Sequence, residues 1–280
     1  MIMNAKISGG VVGLAATVWL ALFPSSAKAQ SADRERGSVY IGTFITDRNT
    51  SARVDSDAGN PGTDVDLEGD LGLKASTSVV RAGGDFWISR RQRLDLSYFD
   101  LSRNASRTID KTINFDDRTY PINTVVSTHN QMTITKLDYT FAFLTRDNWF
   151  FGVDAGLYVM KLGLSLNAPT RGTFSTQSLT APLPVVGFRG EYGINDRWTL
   201  RGSFQWFGVD LTDVSGHFTD TYAGVDRRFG KRFAVGLAYD TVGLNIDVSK
   251  TEHLKGSLDW GYNGWLLYFK TDFGGGVSKR

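Results

Sequence analysis

From about residue 38 onward, apolar residues alternate with polar or small ones, the period-two repeat of a β-strand whose successive side chains face opposite ways. Between Trp149 and Val159 every odd position is apolar, and the even ones include Gly152, Asp154 and Gly156. The same rule sets Leu137, Tyr139, Phe141 and Phe143 against Lys136, Asp138 and Thr140, and Val186, Phe188 and Tyr192 against Arg189 and Glu191. It sets Trp198, Leu200, Phe204 and Trp206 against Thr199, Arg201, Ser203 and Gln205, and Trp265, Leu267, Phe269 and Phe273 against Lys270 and Asp272. No segment offers an apolar stripe at period 3.6, so no helix is expected in the mature chain. Averages hide this order: 41% hydrophobic residues and a mean hydropathy of -0.20 fit a soluble domain, yet exclude only apolar helices of about 20 residues. Thirty-one Gly against six Pro, with 18 Phe, 10 Tyr and 7 Trp, suit twisted strands joined by tight turns.

The connections narrow the choice. Very short ones around Arg90-Arg91, Arg146-Asp147-Asn148, Asn195-Asp196-Arg197 and Gly230-Lys231 alternate with longer polar ones near residues 47 to 75, 104 to 123, 166 to 180, 211 to 217 and 249 to 257. Short turns at one end and long loops at the other are the asymmetry of an outer-membrane barrel. Beside the short turns the last outward residue is repeatedly aromatic: Phe86, Phe143, Trp149, Tyr192, Trp198, Phe229, Phe233 and Phe273. That set reads as a girdle at one membrane interface, whereas a soluble sandwich with such an edge would aggregate. The predicted fold is all-β, a transmembrane up-and-down antiparallel β-barrel of ten strands. These are predicted near residues 39 to 46, 79 to 89, 92 to 102, 133 to 145, 149 to 162, 183 to 193, 198 to 209, 219 to 229, 232 to 245 and 260 to 273. Eight strands would require the loss of one hairpin, and twelve an extra one within residues 47 to 75. Hydrocarbon offers the backbone no hydrogen-bond partner, so the sheet must close and the last strand must pair with the first.

Met1 to Ala29 carries Lys6, an apolar run from Val11 to Phe23, Pro24, and the small-residue signature Ala27-Lys28-Ala29. This is the pattern of a secretory signal peptide cleaved before Gln30; the apolar run is too short to span a bilayer. The expected organisation is a signal peptide over 1 to 29, a short periplasmic segment over 30 to 37, the barrel over 38 to 273 and a flexible tail over 274 to 280. Without Lys6 and Lys28 the 31 basic residues become 29, equal to the 29 acidic ones, and nothing in that balance invites nucleic acid. The absence of Cys excludes disulfide staples and thiolate metal sites.

The last strand, Tyr262-Asn263-Gly264-Trp265-Leu266-Leu267-Tyr268-Phe269-Lys270-Thr271-Asp272-Phe273, resembles the C-terminal targeting strand of bacterial outer-membrane β-barrel proteins. Gly264, Leu267, Phe269 and Phe273 fill the glycine, hydrophobic and terminal aromatic roles of that assembly signal, although this chain continues for seven residues to Arg280. The segments from Asp66 to Leu73 and from Arg93 to Phe99 are similar to small proteobacterial outer-membrane barrels. The resemblance implies an outer-membrane location, contact with lipid and lipopolysaccharide, and insertion by the outer-membrane assembly machinery.

By strand parity the inward face collects Arg81, Arg93, Lys136, Arg189, Arg201, Arg228 and Lys270 with Asp85, Asp95, Asp138, Asp154, Glu191 and Asp226. Buried charges persist when paired, and ten strands lie nearer the filled barrels of about eight strands than the open porins of about sixteen. The expected role is therefore structural or surface-interacting, with a side-chain-filled charged lumen, no enzymatic activity, no cofactor and no metal. A narrow porin-like channel for small solutes is the alternative. A hydrolase using His217 with Asp210 or Asp213 is a third reading, although its pattern resembles neither the outer-membrane proteases nor the lipid A deacylases. Asp55, Asp57, Asp64, Asp66, Glu68 and Asp70 crowd the first long loop, but Asn60 and Asp66 stand where a calcium loop wants Gly and Glu. A hydrated acidic loop is expected, with divalent ions bridging it to lipopolysaccharide phosphates as a hypothesis. Arg in place of Phe141 or Leu157 is expected to cost about 2 to 4 kcal/mol near the midplane, and Arg in place of Thr140 far less.

Overall fold

A computed structural model of the chain describes residues 36–56, 60–210, 213–248 and 255–274. The expected signal peptide and all but Gly274 of the expected tail lie outside the described residues. Thirteen strands are present among the described residues: β1 Gly37–Val54, β2 Val65–Asp66, β3 Thr77–Trp87, β4 Gln92–Thr108, β5 Ile113–Phe115, β6 Arg118–Tyr120, β7 Val125–Thr145, β8 Trp149–Ala168, β9 Thr173–Gly193, β10 Trp198–Asp210, β11 Val214–Phe229, β12 Phe233–Val248 and β13 Gly256–Phe273. Ten of them, β1, β3, β4 and β7 to β13, pair antiparallel in chain order, and β13 returns to β1 from Gly37 opposite Phe273 to Val54 opposite Gly256. The sheet is closed, which the backbone requires in hydrocarbon. β2 adds a two-residue pairing to β1, while β5 and β6 form a separate small hairpin in a loop.

The register fixes the barrel's dimensions. Paired residues lead once around the wall from Gly37 through Phe86, Leu94, Tyr139, Ala155, Val186, Trp206, Thr219, Gly243 and Gly261 to Asn49, twelve residues further along β1. For ten strands that offset corresponds to a tilt of about 40° and a backbone radius of about 10 Å. Each residue then rises about 2.5 Å along the axis and each step to the next strand about 3 Å. On this scale the eight aromatic residues beside the short turns fall within about 7 Å of one level. A second aromatic level, formed by the exposed rings of Tyr98, Trp206 and Trp265, lies about 17 Å above it. Between the two levels the outward side chains among the described residues are apolar, glycine or threonine. Above, polar outward residues such as Asp47, Lys161 and Asn263 appear among the apolar ones.

Several strands run further than the alternation does. β7 starts at Val125, ahead of the predicted residue 133. β8 and β9 continue as one long hairpin around a single 3-10 turn, Pro169–Arg171, where a loop over 166 to 180 is expected. That turn closes on Gly172, whose φ of 61° is left-handed and whose N–H donates to the Pro169 carbonyl at 3.2 Å. Residues 211–213 alone join β10 to β11, in place of an expected loop over 211 to 217. Above the hydrocarbon the ladder still pairs, but outward side chains no longer have to be apolar, so the period-two signal fades before the strand ends.

Candidate functional site

The inward positions stack in layers along the barrel axis. At the short-turn end Trp87, Ala142 and Phe150 are buried together, with the Arg93 guanidinium 5.6 Å from the Trp87 ring centre and 5.8 Å from that of Phe150. Arg93 pairs with Asp95 at 2.6 Å, with Asp85 at 3.5 Å and with Glu191. From Glu191 the ion pairs run to Arg201 at 3.6 Å, on to Asp226 at 2.9 Å, Lys270 at 2.9 Å and Asp272 at 3.6 Å, and reach Arg228 at 2.8 Å. In the other direction Arg189 joins Asp95 at 3.8 Å to Asp138 at 2.8 Å and Asp154 at 3.4 Å, while Lys136 joins Asp138 at 3.4 Å to Asp220 at 2.9 Å. Gln205 donates to both Asp138 and Asp154, at 3.0 and 2.7 Å. Arg81 pairs separately with Asp240, which also accepts from the Tyr262 hydroxyl at 3.4 Å.

Twelve of the thirteen charged residues expected inside therefore lie in this network, and the thirteenth, Arg81, lies in the separate pair with Asp240. The inward set read from the sequence does not include Asp220, Asp240 and Asp272, although the same parity rule reaches all three and already sets Asp272 beside Lys270 on the polar face. Adding them changes seven cations against six acids into seven against nine. Two glycines make the packing possible. A Cβ on Gly156 would stand 2.0 Å from the Asp138 carboxylate, and one on Gly236 would stand 2.1 Å from the Tyr268 ring. A cavity of about 70 Å³ remains among Tyr40, Arg81, Lys136, Arg189, Asp220 and Tyr268.

Above the charges the lumen turns apolar. Phe44, Phe99, Met132, Tyr158, Met160, Phe218 and Tyr262 are buried in one cluster to which all ten barrel strands contribute, β3 through Val79 and β10 through Phe207. Phe44, Phe99 and Tyr262 meet edge-on at 5.3 to 5.9 Å, and Tyr158 lies 4.7 Å from Phe218. Cations cap the underside of this layer: Arg81 lies 5.3 and 5.5 Å from the centres of Phe44 and Phe99, and Lys136 4.8 Å from that of Tyr158. Phe44, Met160 and Phe218 are each 0% exposed, so side chains fill the lumen at this height.

The outer end is covered on one side by its loops. Leu67, Leu71 and Leu73 from the first long connection pack with Ile109, Ile113, Phe115 and Tyr120 from the second, over Val126 and Leu166. Burial pushes the Tyr120 hydroxyl up to about 12, and it donates to the Leu166 carbonyl at 3.0 Å. This loop core corrects the expectation of a merely hydrated acidic loop. Asp66 accepts from the amides of Glu68 and Gly69 at 3.0 and 2.8 Å, Asp55 accepts from Gly62 at 2.9 Å, Asp70 pairs with Lys111 at 2.6 Å, and Glu68 pairs with Arg103. Asp57 lies outside the described residues.

The girdle positions Phe86, Phe143, Trp198, Phe229, Phe233 and Phe273 are exposed on the outer face, and Trp149 and Tyr192 are half-buried as cross-strand partners. Arg227 lies 5.4 Å from the Trp198 ring centre and 5.1 Å from that of Phe229. Of the assembly-signal residues, Leu267, Phe269 and Phe273 face outward, and Gly264 faces inward against Phe44. His217 is exposed opposite Gly208 on the outer face of the β10–β11 hairpin, and Asp210 opposite Ser215 shares that face. The pair is thereby placed away from the charged cavity inside the barrel.

A closed ten-stranded barrel with an apolar band outside and a charged, filled interior is the class that the fold and site define. No protein-family model matches the chain, and no curated protein matches it. Among solved structures it is similar to the outer membrane protease OmpT from Escherichia coli, at 10% identity and a TM-score of 0.56 over 89% of this chain and 100% of that one. The translocator domain of the autotransporter NalP from Neisseria meningitidis matches at 11% identity over 85% and 88% of the two chains, with a TM-score of 0.42. The attachment invasion locus protein Ail of Yersinia pestis, solved with the heparin analogue sucrose octasulfate, matches at 8% identity over 85% and 99%, with a TM-score of 0.38. At such identities the fold is what is shared: the chain has the fold of bacterial outer-membrane β-barrel proteins.

Proposed function

We propose that this protein is a sealed outer-membrane β-barrel with a structural or surface-interaction role, carried out by its loop end. The observation behind the proposal is the apolar layer of Phe44, Phe99, Tyr158, Met160 and Phe218 across the lumen above the paired charges. An ion crossing it would shed its water without gaining a partner, which is prohibitively unfavourable in so apolar a setting. The chain is exported by its N-terminal signal peptide in a Gram-negative cell envelope. It is inserted by the assembly machinery through Gly264, Leu267, Phe269 and Phe273, and held by lipid and lipopolysaccharide around its apolar band. Planar-bilayer recording tests the seal. Refolded protein should give no sustained unitary current, and reproducible steps would replace this reading with the porin-like channel, which the charged 70 Å³ cavity favours. The hydrolase reading needs His217 beside a substrate cleft, and its exposed outer-face position supplies none. We therefore read the protein as non-enzymatic, needing no cofactor or metal. Loss of peptide or lipid A turnover in His217→Ala would reverse that.

A further inference from the structure

A second cavity, of about 100 Å³, opens among inward residues of the loop-end half, about 30 Å above the girdle and so beyond the apolar band. Its walls are largely apolar, with Met132, Leu162, Leu164, Leu258 and the Trp260 ring among them. Thr50, Asn130 and Gln177 form a polar side, together with Arg53, which is already paired with Asp55 at 3.1 Å. Trp260 is 1% exposed and its indole Nε1 has no hydrogen-bond partner. Arg48 is the next inward residue below Thr50 on β1, opposite Tyr262 on β13, while Thr50 is opposite Trp260. Arg48 is 7% exposed; it donates to Thr46 Oγ1 and its Nη1 has no partner. The nearby carboxylate is already engaged: Glu68 takes Arg103 on one oxygen and the Thr50 amide, at 2.8 Å, on the other. Two unpartnered donors are thus diagonally adjacent across the β1–β13 pair, Trp260 Nε1 on the cavity wall and Arg48 Nη1 on the next inward residue below it.

We propose that this cavity binds a small amphipathic monocarboxylate, with its carboxylate taken by Arg48 and Trp260 Nε1 and its apolar part among Met132, Leu162, Leu164 and Leu258. A buried donor without a partner is destabilising, and a bound anion would satisfy both donors and the excess positive charge at once. The volume sets the size: at about 100 Å³ the cavity is smaller than the apolar cavity of about 150 Å³ that takes up benzene, so one ring is the upper limit for the enclosed part of the ligand. The inference is independent of the sealed lumen, because conductance tests the seal and binding tests the cavity.

The experiment is calorimetric titration of the refolded chain, in nanodiscs of uncharged phosphatidylcholine, with benzoate and with its neutral analogue benzyl alcohol. Benzoate should bind saturably, one per barrel, and benzyl alcohol about tenfold or more weakly, the scale of a hydrogen bond to a charged group. Arg48→Gln should erase that preference and also report partition into the lipid. Trp260→Phe keeps the ring, removes only the N–H, and should weaken benzoate severalfold; it decides the matter alone should Arg48→Gln not refold. Equal affinity for the two ligands, no saturable heat at millimolar benzoate, or an unchanged preference in either refolded variant would overturn the proposal.

Discussion

The register-derived depth scale turns the membrane reading into a quantitative test at Leu237. This side chain on β12 is 44% exposed and faces outward. It lies about 9 Å above the girdle level, close to halfway to the ring formed by Tyr98, Trp206 and Trp265. Arg at the midplane of a β-barrel costs about 2 to 4 kcal/mol, falling to about 0 to 1 at the interfaces. Leu237→Arg should therefore shift the folding equilibrium by about 30- to 1000-fold. Ile45 and Val80, which are 54% and 63% exposed, lie about 18 to 20 Å up, at the outer edge, and Arg there should cost about 1 kcal/mol or less. By the same scale Phe141 lies about 4 Å and Leu157 about 17 Å above the girdle, so neither is the central site the sequence reading assumes. Thr140 is no mild control, because it is 0% exposed inside a filled lumen where Arg would overpack. The assay is reversible urea unfolding in short-chain phosphatidylcholine vesicles, followed by tryptophan fluorescence. If Leu237, Ile45 and Val80 lose equal stability on substitution, the depth assignment is wrong.

Removing one partner of the buried Arg81–Asp240 pair, by Arg81→Met or Asp240→Leu, should cost about 3 to 5 kcal/mol, and the double substitution less than either single; matched urea midpoints showing a double at least as damaging as both singles together would refute the coupling. Tyr120 is held up at about 12 against an ordinary phenol near 10, so its contribution to the loop core is complete below pH 10 and is lost as pH rises through 12. Tyrosinate absorbance of wild type minus Tyr120→Phe should titrate near 12, and a midpoint near 10 would show that the loop core does not bury this hydroxyl. Removing Phe273, which is exposed at the girdle opposite Gly37, should impair assembly more than truncation after Gly274, and heat-modifiable mobility of membrane fractions would expose the reverse order.

The wall was legible because two different surroundings, lipid outside and a packed polar interior inside, impose a period of two on every residue between them. That is why parity alone sets Arg93, Asp138, Arg189 and Lys270 inside and Phe141, Phe188 and Phe269 outside. Parity says only which way a side chain points, not what surrounds it. Phe44, Phe99 and Phe218 share the inward register with the charges, and the rule that inward means polar gave no reason to stack them into an apolar layer. Asp240 and Asp220 obey the rule, and no local signal sets them apart from Asp138 or Asp154. The loops carried a signal too, since Leu67, Leu71 and Leu73 among the carboxylates are an apolar set that hydration alone does not explain. What no local pattern encodes is that this set meets Ile113 and Phe115, some 40 residues away, over the barrel end.

The offset of twelve residues over ten strands joins these layers to one consequence. A radius of about 10 Å leaves so little space that long side chains from opposite walls meet, so the interior has to be filled. Filling it with charges alone would demand a partner for each, and the network achieves that only by threading twelve ion-paired groups in sequence from Arg228 to Asp220. Where the pairing ends, at Arg81 and Lys136, aromatic faces take the remaining positive potential and the apolar layer begins. Because every barrel strand contributes to that layer, shifting an external loop leaves it in place; opening it would require the barrel wall itself to repack. Substituting loop residues such as Phe115 should therefore alter what the loop end binds without making the barrel conduct.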